Sequence, residues 1–171
     1  MASIALTSIA QPALPVPGSD PWYVAASDSA ISVMTDFRER SSVTVLATTA
    51  IDAALDHMKH TGVRCAFATD DARTIVVGMI TAYDIMGVKP MQLMQATEMP
   101  RGEITVRDLM QKVSDWRVAQ MHDVLQANVG AIMKIFDDTR LTHIPVIEIT
   151  AAESQLRGMF SASKVRRVLR R

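Results

Sequence analysis

Ile51, Ala54, Leu55 and Met58 fall at i, i+3, i+4 and i+7, the spacing that gives an α-helix one apolar face. Val129, Ile132, Met133 and Phe136 repeat that spacing 78 positions later. The same offset carries Val63-Arg64-Cys65-Ala66-Phe67-Ala68 onto Leu141-Thr142-His143-Ile144-Pro145-Val146, and both runs read as short buried strands. Gly78 to Asp84 then falls on Gly158 to Lys164 at an offset of 80, which puts two extra residues in the second strand-strand loop. Upstream, Ile31-Ser32-Val33 matches Ile104-Thr105-Val106 at an offset of 73, and Thr44-Val45 maps onto Arg117-Val118. The second copy therefore gains about five residues within 119–127, the difference between offsets of 73 and 78.

Each copy reads as a lead-in turn, strand, helix, strand, loop, strand and helix, with polar loops at Asp70-Asp71-Ala72-Arg73 and from Thr150 to Gln155. A βαββα unit of roughly fifty residues buries too little surface to be secure alone, so the copies are expected to share a core. The pattern predicts an α+β fold of two such units in tandem, with small mixed sheets packed with helices. The expected boundaries are a loose Ala/Pro/Ser leader at 1–29, a first motif at 30–89, a linker at 90–103 and a second motif at 104–171. Gly87 and Pro90 are read as stopping one helix, and Pro100-Arg101-Gly102 as a turn before Thr105 opens the second lead-in.

The order of elements carries a Gly-hydrophobic-hydrophobic-Thr-x-x-Asp signature at Gly78 to Asp84, a lead-in at Ile104 to Met110 and a His143-Ile144-Pro145-Val146 strand. Over roughly residues 30–171 this combination resembles the tandem CBS domain pair, named after cystathionine β-synthase. The resemblance implies a pseudo-twofold pair of CBS motifs that binds AMP, ADP, ATP, S-adenosylmethionine or a similar adenosyl compound in clefts between the motifs. It implies regulation of a partner protein in trans rather than catalysis, and homodimers formed through the helices. A CBS-fold dimerisation module without a nucleotide is the competing expectation.

The resemblance also assigns residues. In the first copy the Asp84 carboxylate would accept hydrogen bonds from ribose hydroxyls, and the Thr81 hydroxyl would reach ribose or phosphate. The first strands would offer backbone contacts to the base through Thr44 and Val45, with Arg117 and Val118 in the second copy. Arg64 and Ala66, and in the second copy His143, Ile144 and Pro145, would flank the cleft. Ser161 keeps the hydroxyl, but Lys164 stands where the family has Asp.

The residues themselves leave alternatives open. Thr81-x-x-Asp84 ahead of Ile85 and Met86 has the form of a capping box, and Thr105-Val106-Arg107-Asp108 has the same spacing where no nucleotide is expected. A lysine only donates, so Lys164 removes the usual ribose grip. It either turns the second site toward phosphate or another anion, or leaves that site empty. The first copy is thus the expected nucleoside site. His143 reads as a partly buried structural histidine or as a phosphate contact, and neither His57 nor His60 has the company of a metal site, so no metal is expected.

Composition narrows these readings. Apolar residues make up 49% and aromatics only 5%, so the core must come from Ala, Val, Ile, Leu and the twelve Met. The 18 basic and 18 acidic residues cancel, which gives no global attraction to nucleic acid or anionic membrane. The tail from Lys164 to Arg171 is basic, but Val165, Val168 and Leu169 fall at helical spacing between the charges, so it reads as the outer face of a last helix. Cys65 is the single cysteine and excludes an internal disulfide. Residues 1–19 lack a basic start and are broken by Pro12, Pro15 and Pro17, which makes a poor signal peptide and favours a cytoplasmic protein. No nucleophile-base pairing, Walker-type loop or paired catalytic carboxylates stand out, so no enzyme is expected.

Overall fold

The computed structural model describes residues 23–150 and 153–169. Its strands and helices run β1 (Thr35–Asp36), β2 (Thr44–Leu46), α1 (Ile51–Thr61), β3 (Cys65–Thr69), β4 (Val76–Thr81), α2 (Ala82–Met86) and α3 (Lys89–Thr97). They continue with α4 (Val106–Leu109), β5 (Gln111–Lys112), β6 (Ala119–Gln120), α5 (Met121–Gln126), α6 (Val129–Thr139), β7 (His143–Ile149), β8 (Ser154–Ser161) and α7 (Ala162–Val168). The predicted order of elements is present in both copies.

Two four-stranded mixed sheets result, ordered β2-β3-β4-β5 and β1-β8-β7-β6. In each, the first strand pairs parallel with the next and the hairpin behind it is antiparallel, with a register shift at Ala68/Thr69 in one and at Val146/Ile147 in the other. The short lead-in strands change places. β1 pairs with β8 of the second copy, and β5 pairs with β4 of the first. Ala30, Val33 and Met34 accordingly sit in the core with Phe136, Ile144 and Phe160, while Ile104, Val106 and Leu109 sit with Ile51, Met58 and Ile80. Burying each Val, Leu, Ile or Phe side chain is worth roughly 1.5–3 kcal/mol, so this exchange ties each copy's core to the other's chain segment.

The exchange gives the signature glycines a physical role. A Cβ on Gly78 would stand 2.8 Å from the Gln111 carbonyl oxygen, and one on Gly158 would stand 2.6 Å from that of Thr35. Only hydrogen lets the crossing strand lie so close. A third cluster joins the sheets: Cys65, Phe67 and Met79 are buried with Phe37, Trp116, Leu156 and Met159 around them. Phe37 meets Phe67 edge-on at 5.5 Å between ring centres, a favoured aromatic geometry.

Three boundaries differ from the sequence reading. The linker is not plain chain, because Lys89–Thr97 is helical and Pro90 lies in its first turn, where a missing N–H costs nothing, so Pro90 opens a helix instead of stopping one. The leader is anchored from Val24 onward. Val24 is buried, its N–H donates to the Val168 carbonyl at 2.8 Å, and the carbonyls of Ala26 and Asp28 take the Gly130 and Val129 N–H groups at the start of α6. Residues 1–22 of that leader lie outside the described residues. The pairings of Val45 with Ala68 and of Ala119 with Val146 make Val118, not Arg117, the counterpart of Thr44, and the insertion between first strand and first helix holds α5.

Leu169 and Val168 pack on the second core while Arg166 and Arg167 face outward, as helical spacing predicts. Among the described residues no helix is long and apolar enough to cross a membrane, and no three His, Cys, Asp or Glu gather as a metal set.

Candidate functional site

Thr81 ends β4 in extended backbone and starts α2, so its side chain meets the first free N–H groups of the helix. Its Oγ1 accepts from the Asp84 N–H at 3.2 Å, and the Asp84 Oδ2 accepts from the Thr81 N–H at 2.9 Å. Asp84 Oδ1 is held by the Lys89 ammonium from the start of α3. The carboxylate is therefore engaged on both oxygens, and a ribose would have to displace Lys89 or share with it. Thr105 and Asp108 form the same box, with Thr105 N–H donating to Asp108 at 2.8 Å. Capping alone accounts for the spacing.

The second copy departs at the same place. The registers of Cys65 with Thr81 and of His143 with Ser161 make Ser161 the counterpart of Thr81, and Lys164 that of Asp84. Ser161 forms no cap; its hydroxyl lies 3.0 Å from that of Ser163. Lys164 Nζ donates to the Met34 carbonyl at 3.2 Å, which fixes it against the segment entering β1.

A cleft of about 430 Å³ opens here, between the two copies. Its first-copy wall is Thr35, Phe37, Ser41, Val43, the stretch from Gly62 to Cys65, and Phe67, and its second-copy wall is His143, Met159, Ser161, Ser163, Lys164 and Arg167. Arg64, Lys164 and Arg167 make the lining cationic, and none of the described residues that line it is Asp or Glu. Sharing Arg64, His143 and Ser163 with it, a smaller cavity of about 140 Å³ is also lined by Tyr83, Thr142 and Arg166. Arg64 Nη1 donates to the Tyr83 hydroxyl at 3.3 Å.

Of the residues expected from sequence, Arg64, His143, Ser161 and Lys164 meet in this cleft. Thr81 and Asp84 line neither cavity. Val45, Ala66 and Ile144 are consumed by the cores, Thr44 and Pro145 stay in their strands, and Arg117 and Val118 border a separate hollow over α6. The cleft between the copies thus opens at Ser161 and Lys164, whereas Ala82 and Tyr83 of the first copy border a separate hollow of about 490 Å³. Where the first copy has the small Ser41 between lead-in and first strand, the matching connection of the second brings Trp116 against Phe67, 5.9 Å between ring centres. Sequence reasoning missed Thr35, Ser41 and Arg167. The first two enter only through the exchanged lead-in, whereas Arg167 had a readable signal, since it follows Lys164 by three positions on the same helical face.

Burial and the charge of Asp84 act on two groups between the walls. Burial first, then Asp84, pushes the Cys65 thiol up to about 12. Burial also pulls His143 down to about 4, against a smaller opposing effect of Asp84. His143 is therefore neutral near pH 7, with Nδ1 3.1 Å from the Thr142 hydroxyl. Cys65 should resist iodoacetamide at pH 8 in the native protein and react once urea unfolds it. Equal labelling rates in the two states would contradict this environment.

A family model for the CBS domain matches residues 30–90. The first copy thus matches a CBS domain. Beyond that stretch the likeness to CBS pairs is one of fold. The crystal structure of CBSX2 in complex with AMP is similar at a TM-score of 0.56 and 22% identity, over 82% of this chain and 94% of that one. The CBS-pair protein CBSX2 from Arabidopsis thaliana is similar at 0.53 and 22%, over 82% and 93%. An uncharacterized conserved protein from Pyrococcus horikoshii is similar at 0.56 and 18%, over 82% and 90%. No curated protein matches the chain. The CBS-pair fold thus accounts for both copies and for the cleft between them.

Proposed function

We propose that this CBS pair is a regulatory module that binds an adenine nucleotide in the cleft at Ser161 and Lys164 and acts on a partner protein in trans, without catalysing a reaction. The observation that carries the reading is the cleft itself, about 430 Å³ with Arg64, Lys164 and Arg167 and, among the described residues, no carboxylate in its lining. That size falls in the range of small-molecule sites, roughly 300–1,000 Å³, and the charge suits phosphate. Phe37, Val43 and Phe67 give an apolar side for a base, and hydroxyls of Thr35, Ser41, Ser161 and Ser163 suit hydrogen bonding to sugar or phosphate. A structural neighbour crystallised with AMP supports the ligand class.

Thermal melts with AMP, ADP, ATP and S-adenosylmethionine test this. A ligand at 100 times its Kd adds about 2.7 kcal/mol, which for a chain of this size raises Tm by roughly 5–10 °C. Lys164→Ala should abolish most of the shift. No shift with any of the four at millimolar concentration would leave the second reading, a homodimerisation module without a ligand. The exposed Tyr83, Met86, Val88 and Met91 along α2 and α3 favour that reading, and they suit a homodimer formed through helices in either case.

A further inference from the structure

At one structural position the two copies present opposite chemistry. The first offers Asp84, an acceptor, and the second offers Lys164, a donor only. Arg167 lines the same cleft one helical turn on, Ser161 and Ser163 add hydroxyls, and among the described residues no lining carboxylate accepts from a sugar diol. Free vicinal hydroxyls facing this wall would lack an anionic acceptor, whereas a phosphate there would meet two cations. The same exchange separates cofactors in dinucleotide-binding folds, where an acidic residue takes a free 2′-hydroxyl and a basic one takes a 2′-phosphate. The adjoining cavity, with Arg64 and Arg166 in its lining, provides a second cationic station for the phosphate at the other end of the ligand.

Resting on the reading of the cleft as a nucleotide site, we propose that it selects an adenine nucleotide phosphorylated on the ribose itself, at the 2′ or 3′ oxygen. That phosphate is held by Lys164 and Arg167, and the 5′-phosphate lies toward Arg64. Arg64 and Lys164 come from different copies, so such a ligand spans the pair and ties its halves together.

Isothermal titration of the full chain with adenosine 2′,5′-bisphosphate, adenosine 3′,5′-bisphosphate and ADP separates phosphate placement from phosphate number, because all three carry two. One of the first two should bind at least about tenfold more tightly than ADP, a difference near 1.4 kcal/mol. Lys164→Asp should lose that preference; an aspartate at this helix position is compatible with capping, as Asp84 shows. ADP binding as tightly as both isomers, or an unchanged preference in Lys164→Asp, overturns the inference and leaves the cleft a nucleotide site. Binding of no nucleotide to the wild type removes both.

Discussion

Gly158→Val should lower the unfolding free energy by about 3 kcal/mol, the upper end of what overpacking costs, and should impair the cleft as well. The first added carbon would stand 2.6 Å from the Thr35 carbonyl oxygen and 3.0 Å from the Met34 sulfur. The obstacle is mainly backbone, so β1 must lift from β8. With it would go the hydrogen bond from Phe37 N–H to the Arg157 carbonyl at 3.0 Å and the bridging of Asp36 and Glu148 by the Arg157 guanidinium. Thr35 and Phe37 ride on that segment and line the cleft, so ligand binding should weaken together with stability. Gly78→Val is the matched control. It meets Met110 and Gln111 at 2.7 and 2.8 Å and lifts β5, which does not line the cleft. Urea denaturation should show comparable losses for the two variants, and titration should show the larger loss of affinity for Gly158→Val. A loss under 1 kcal/mol for either would mean that the crossing strand yields, and the role assigned to the signature glycine would fall.

The repeat was legible because long amphipathic helices leave a strong periodic trace. Ile51 to Met58 and Val129 to Phe136 became α1 and α6, and the strands behind them kept the offset of 78. The exchange of β1 and β5 was not legible, since a two-residue strand has no period and its partner is decided by tertiary packing. The same blindness hid the cleft. The signature at Gly78 to Asp84 marks a helix cap as faithfully as it marks a ligand, and in this fold Asp84 is spent on Thr81 and Lys89. Lys164, which a motif comparison scores as a defect, sits where the walls of the two copies part. Its neighbours there are drawn from residues far apart in the chain, so no local pattern could have assembled them. α3 was hidden by the habit of reading proline as a stop, although a proline in a first helical turn is a start.

Acid should destabilise this fold as pH falls from 6.5 toward 4, and His143 should be the cause. Burial holds its folded-state pKa near 4, against 6.5 for the free imidazole. Between those values the unfolded chain binds a proton that the native protein refuses. The contribution is therefore fully present above about pH 6.5, is lost as pH falls, and is exhausted near pH 4, by which point about 3 kcal/mol has been lost. The carboxyl of Asp70, held below the ordinary carboxylate value by the N–H groups of Ile75 and Thr74, titrates beneath that window. Urea midpoints measured from pH 7 to pH 4 should fall in the wild type and stay nearly level in His143→Asn, whatever the overall stability of that variant; parallel slopes would exonerate the histidine. Because His143 also borders the cationic cleft, an anion bound there would favour the imidazolium. The bound protein should then lose less stability over the same pH range than the free one.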